Sequence, residues 1–128
     1  MAKRLTETTK WVNPDFRKLK DKYKLFYLYI LDNCDSSGII RLDLDLIGYT
    51  LNHSFTDQEI AENLCDKITF IAPNKVIIKN FIAFQNGDIF DSKSKIASSI
   101  RANLNSHGIL ERYLRGEFGH TNKAIASI

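Results

Sequence analysis

The sequence predicts a mainly α-helical domain with a small β-hairpin or sheet: a helix-turn-helix, a hairpin after it, and further helices at the C-terminal end. Three observations carry that expectation. Residues 22–42 read KYKLFYLYILDNCDSSGIIRL, in which 25–31 is apolar throughout, 33–38 is turn chemistry and 39–42 is short and β-prone. Thr56 and Glu59 spell a capping box, with Phe55 and Ile60 placed as the hydrophobic staple around it. Two β-rich runs, 67–72 and 75–80, are joined by Ala72-Pro73-Asn74, a tight hairpin turn.

The first dozen residues read as an arm (1–12). Lys3, Arg4 and Lys10 are its cations, and Leu5 and Trp11 are apolar residues expected to dock. Asn13-Pro14 places a capping residue before a proline at the first helical position. Phe16, Leu19, Tyr23, Phe26 and Ile30 then recur at spacings of three and four, one helical face, with a break expected near Lys20-Asp21 and an end at Asp32 or Asn33. Asp43 caps a second helix, whose apolar positions are Leu44, Ile47 and Leu51; Asn52-His53-Ser54 is a turn. The helix capped by Thr56 is expected to run through Leu64 and Cys65, about ten residues.

Phe81-Ile82-Ala83-Phe84 reads as a short helical turn, and Gly87-Asp88 breaks the chain. Asp91 or Ser92 caps a last long helix with Ile96, Ile100 and Leu104 at spacing four. Gly108 fits the left-handed position after it, with Ile109 touching Leu104 in a Schellman arrangement. Ile109, Leu110, Tyr113 and Leu114 suggest one more short helix, and from Gly116 onward no period is visible. Helix, strand, helix, helix, hairpin is the order of a winged helix, with 67–80 as the wing. The expected organisation is one winged helix-turn-helix domain over 1–115, C-terminal helices at 91–115 and a tail at 116–128.

Composition excludes several classes of function. The 128 residues are 44% hydrophobic and 26% charged, an ordinary globular balance. No run approaches the roughly 18 apolar residues of a membrane span, and the charged N-terminus lacks the apolar run of a signal peptide, so a cytoplasmic protein is expected. Cys34 and Cys65 read as free thiols, and no Cys/His spacing matches a zinc site. The glycines at 38, 48, 87, 108, 116 and 119 form no phosphate-cradling loop. Asp43/Asp45 and Asp32/Asp35 read as a cap and solvated turn residues, and His53, His107 and His120 as surface residues. No enzyme and no cofactor are expected.

Charge is unevenly placed. Residues 1–24 carry net +5, residues 25–66 net −7 and residues 67–128 net +5. The chain has basic ends and an acidic middle. The second helix of the helix-turn-helix bears Asp57, Glu59 and Glu62, then Asp66, and no Lys or Arg, so the usual insertion of that helix in the major groove is not expected. Phosphate contacts fall instead to the wing (Asn74, Lys75, Lys79), the last long helix (Lys93, Lys95, Arg101) and the arm (Lys3, Arg4, Lys10). Lys20, Lys22 and Lys24 follow a similar logic.

Met1-Ala2-Lys3-Arg4, Trp11 ahead of the first helix, Lys24-Leu25-Phe26-Tyr27-Leu28-Tyr29, Asn33-Cys34-Asp35 before Gly38-Ile39, and Asn80-Phe81-Ile82-Ala83-Phe84-Gln85 with Gly87 occur in that order. Together, over about residues 1–115, they resemble the N-terminal domain of phage and prophage replication proteins, the replisome organisers or DnaD-like replication initiators. The resemblance implies a winged helix in a protein that starts phage DNA replication in a bacterial host: it binds origin DNA, duplex or single-stranded, self-associates, and recruits host helicase-loading proteins. Members often have Ser-Pro where this chain has Lys20-Asp21. Two other readings use the same fold: an assembly domain without strong DNA binding, in which the basic ends and acidic middle join subunits, and a transcriptional regulator.

Overall fold

Asn13 accepts a hydrogen bond from the Asp15 amide (2.8 Å) and Pro14 opens the first helix, α1 (Pro14–Arg17). In the computed structural model, which describes residues 3–87 and 94–119, Lys20 is extended and α2 (Asp21–Asn33) restarts behind it. The expected break is therefore real, and buried Phe16 still meets Tyr27 of α2, a helix that buries Tyr23, Phe26 and Ile30. Asp35 ends this unit: its Oδ1 accepts from the amides of Ser37 and Ile39, at 2.9 and 3.0 Å. Gly38, at φ +79°, turns the chain into β1 (Ile39–Arg41).

Asp43 caps α3 (Leu44–Leu51), and Thr56 caps α4 (Asp57–Asn63) through the Glu59 amide, both as the residue types predict. The hairpin follows: β2 (Ile68–Ala72) and β3 (Lys75–Ile78) pair antiparallel across a turn in which Asn74 has φ +59°. β1 joins the other edge of β3, giving the order β1-β3-β2 with Ile39 opposite Ile77 and Arg41 opposite Lys75. Then come α5 (Phe81–Asn86), α6 (Lys95–Ser106) and α7 (Leu110–Leu114).

This small sheet is buried on both faces. Val76 and Ile78 join Phe26, Ile30, Ile47, Ile60 and Leu64 in one core, while Ile77 joins Ile82, Ile100, Leu104 and Tyr113 in another. Side chains alternate along a strand, so a central strand covered on both sides must be apolar at successive positions, as Val76-Ile77-Ile78 is. Asn103 of α6 also donates to Asp35 Oδ2 (2.9 Å) and Ser37 Oγ (3.0 Å), fastening the C-terminal helices to the turn before β1.

Four expectations are corrected. α4 stops at Asn63, because Leu64 leaves helical geometry to become fully buried, and its carbonyl accepts from the Lys67 and Ile68 amides as the chain turns into β2. α6 starts at Lys95 behind Ser94, whose Oγ accepts from the Ala97 amide (3.1 Å); Asp91 and Ser92 lie outside the described residues. Its inward face is Ala97, Ile100 and Leu104, and Ile96 is 61% exposed. The chain does not become a tail at Gly116: Phe118 is 2% exposed in the second core, and its carbonyl accepts from the Asn80 amide (3.0 Å).

The Schellman closure of α6 forms as its sequence suggests, with Gly108 N–H to Asn105 at 2.9 Å and Ile109 N–H to Leu104 at 3.0 Å. Both cysteines are free thiols, Cys65 exposed and Cys34 buried. Burial pushes the Cys34 thiol up to about 11, with the neighbouring Arg4 guanidinium opposing it.

Candidate nucleic-acid interface

The arm lies against the body through polar contacts. Arg4 Nη2 donates to the Cys34 carbonyl at the end of α2 (2.7 Å), and its guanidinium sits 5.6 Å from the Phe81 ring centre. The Gln85 amide holds Leu5 at two points, accepting from its N–H (2.8 Å) and donating to its carbonyl (2.6 Å). Glu7 then accepts from Thr9 and starts a 3-10 helix, Thr8–Val12. Trp11 docks in part, meeting buried Phe16 edge-on at 5.1 Å with 57% of its surface exposed, whereas docking by the Leu5 side chain is corrected: it is 61% exposed.

Between the arm and the body lies a cleft of about 500 Å³, walled by the arm, α2, the end of β3 and α5. Arg4, Lys10, Lys67 and Lys79 line it, against Glu7 and Asp32. Lys79 donates to the Cys65 carbonyl (2.8 Å), and the Lys67 ammonium lies 5.4 Å from the Tyr27 ring centre. Ion pairs among the described residues are Lys22–Glu59, Arg112–Glu117 and Arg115–Glu117, so none of the four cleft cations has a carboxylate within pairing distance. Four cations against two carboxylates leave the cleft with a positive excess, which raises the local attraction for an anion.

The expected set of cations does not form one face. Arg4, Lys10 and Lys79 meet at the cleft, and Lys3 lines the adjoining hollow beside Ser36. Asn74 and Lys75 lie at the other end of β3, roughly 13 Å from Lys79 at about 3.3 Å per residue. There Lys75 faces Arg41 across the sheet, and its Nζ lies 3.4 Å from His107 Nδ1. Lys95 is exposed in the first turn of α6, and Arg101 is half-buried on the same helix. Lys93 lies outside the described residues.

Lys67 and Arg41 were missed by reading the sequence. The Lys79 amide donates to the Lys67 carbonyl (2.8 Å), so hairpin pairing alone could have brought Lys67 in. Arg41 carried no such signal, because strand order is not written locally.

The acidic helix α4 is engaged from the side of α2. Lys22 pairs with Glu59 (2.5 Å) and Tyr23 OH donates to the same carboxylate (3.2 Å). The Lys22 hydrogen bond holds the Glu59 carboxyl below the usual carboxylate range. Glu62 accepts from Gln58 (3.0 Å), and no cation of α4 offsets Asp57.

Among the described residues no group of three or more His, Cys, Asp or Glu could hold a metal ion, and no helix is long and apolar enough to cross a membrane. The architecture is mainly helical with a small three-stranded antiparallel sheet, in winged-helix order. No family model, no curated protein and no solved structure matches the chain.

Proposed function

We propose that this chain is a non-enzymatic, DNA-binding and self-assembling module of a phage DNA replication initiation protein, acting in the cytoplasm of the bacterial host on phage origin DNA and with host helicase-loading proteins. One observation carries the DNA-binding reading: four cations, two from the arm and two that flank the hairpin just before β2 and just after β3, converge on one cleft with no carboxylate paired to them. The setting in phage replication rests on the sequence resemblance. Phosphate contacts come from the cleft and from the Arg41–Lys75–His107 edge, with little base readout by the acidic α4.

The test is fluorescence anisotropy with labelled duplex and single-stranded DNA across a salt series. Each phosphate neutralised on duplex DNA contributes a slope of about −0.9, so the four cleft cations contribute roughly −3.6 in log affinity against log salt, to which the Arg41–Lys75 edge adds. Lys67→Glu with Lys79→Glu is expected to flatten that slope by about 2 and to weaken binding at least tenfold at low salt. An unchanged slope in a variant with unchanged melting temperature sinks the assignment to the cleft. Binding of one host promoter sequence in preference to phage origin DNA favours a transcriptional regulator instead.

Self-assembly draws on a different face. Leu46 and Tyr49, one turn apart on α3, are 54% and 89% exposed, on a helix that also carries the carboxylate of Asp45. A second copy with its basic arm supplies a complementary surface. Sedimentation at two concentrations and two salt levels is expected to show a concentration-dependent oligomer that Tyr49→Asp dissolves; a monomer throughout removes this half of the proposal.

A further inference from the structure

We propose that the cleft beneath the arm receives one unpaired nucleotide of a single DNA strand, its base against Phe84 and its phosphate among Arg4, Lys67 and Lys79. This rests on the DNA-binding reading and adds the form of DNA that the cleft selects. The volume, about 500 Å³, falls within the ~300–1,000 Å³ typical of small-ligand pockets, room for a nucleotide. A base inside a duplex is stacked on both faces and paired at its edge, so only an unpaired one can enter.

The walls combine the two chemistries that single-strand sites use, cations along the backbone and aromatic rings under the bases. Phe81 is buried beneath Arg4, and Tyr27 is half-buried beneath Lys67. Phe84 differs: it lines the same cleft yet leaves 43% of its surface exposed. An exposed phenyl ring beside an excess of positive charge is a platform for a flat heteroaromatic base joined through its sugar to a phosphate.

Arg4 adds an independent observation. Its Nη2 is engaged by the Cys34 carbonyl, but its Nε–H is buried and has no acceptor among the described residues. A buried donor left unmet is destabilising. Cys34 and Phe81 hold this guanidinium at the cleft wall, where its charge is set to meet an incoming phosphate.

The experiment compares a labelled oligo-dT of about 15 nucleotides with the same strand paired to oligo-dA, using the full chain at low salt, with thymidine monophosphate as an unlabelled competitor. Phe84→Ala is expected to weaken single-strand binding about 5- to 150-fold, the equivalent of ~1–3 kcal/mol per stacked base, and to change duplex binding less than about twofold. Phe84→Trp is expected to retain single-strand affinity. Thermal unfolding checks each variant, and Phe84→Leu, which keeps bulk without a ring, replaces Phe84→Ala if the latter melts early.

An unchanged single-strand affinity, or equal weakening of both forms, overturns the nucleotide site and leaves the broader DNA-binding reading standing. Thymidine monophosphate displacing the strand at concentrations as low as the strand's own assigns the cleft to free nucleotides and overturns the strand. Wild-type protein that binds neither DNA form removes both readings.

Discussion

Phe118→Ala is expected to lower stability by about 3–5 kcal/mol, as truncation of a buried phenyl ring does in a close-packed core. Phe118 is 2% exposed, lies among Ile77, Ile82 and Tyr113, and has the Arg112 guanidinium 5.0 Å from its ring centre. Domains are stable by about 5–15 kcal/mol in total, so this one truncation removes a large share. At about 3–5 °C per kcal/mol for a chain of this size, the melting temperature falls by roughly 9–25 °C. Ile96→Ala is the control. Ile96 stands outside the core, and its truncation is expected to change stability by less than about 0.5 kcal/mol. Reading the sequence alone reverses that ranking, with Ile96 in the core and Phe118 in a tail. Equal melting temperatures for wild type and Phe118→Ala would refute the structural placement.

Gly38→Ala carries the second large effect, about 2–5 kcal/mol. Part is backbone: an L-residue at φ +79° costs about 1–2 kcal/mol. The rest is collision, about 1–3 kcal/mol for overpacking, because the new methyl would lie 2.9 Å from Phe81 Cβ and 3.0 Å from its ring. Cβ is the part of Phe81 that cannot swing away, so α5 has to shift. Urea unfolding measures the loss. A second readout follows from Arg4, which lies over the Phe81 ring and beside Cys34. In the wild type a thiol reagent at neutral pH is expected to modify the exposed Cys65 and spare Cys34, buried and with its thiol pushed up to about 11. Gly38→Ala loosens that corner and speeds the second modification. Stability within about 0.5 kcal/mol of wild type would show that the turn tolerates a side chain.

The legible parts of the fold are those written within one turn of chain. Asn13-Pro14, Asp43, Thr56 and Gly108 each act on amides or carbonyls two to five residues away, and each caps the helix that its residue type suggests. The hairpin is equally local, since Pro73-Asn74 leaves its flanking strands no other near partner. Boundaries that depend on burial were misread. Leu64 leaves α4 because the core takes its side chain, and Ala97 faces inward where spacing alone favoured Ile96. Phe118 shows no period around it, since three residues cannot display one, and its burial depends on Ile77 and Ile82, more than 30 positions away.

The same division holds for the candidate site. Residue order is enough to show which positions carry charge, that the helix after Asn52-His53-Ser54 is acidic, and that Arg4, Lys10, Lys75 and Lys79 belong to an arm and a hairpin. Which of them meet depends on the packed fold. It placed β1 beside β3, setting Arg41 against Lys75, and it folded the arm over α2 and α5, setting Arg4 and Lys10 around one cleft with Lys67 and Lys79. The physical reason is range. A cap or turn is fixed by hydrogen bonds across a few residues, whereas cations more than 30 positions apart meet only where packing carries the backbone, and that packing is determined by the apolar residues between them.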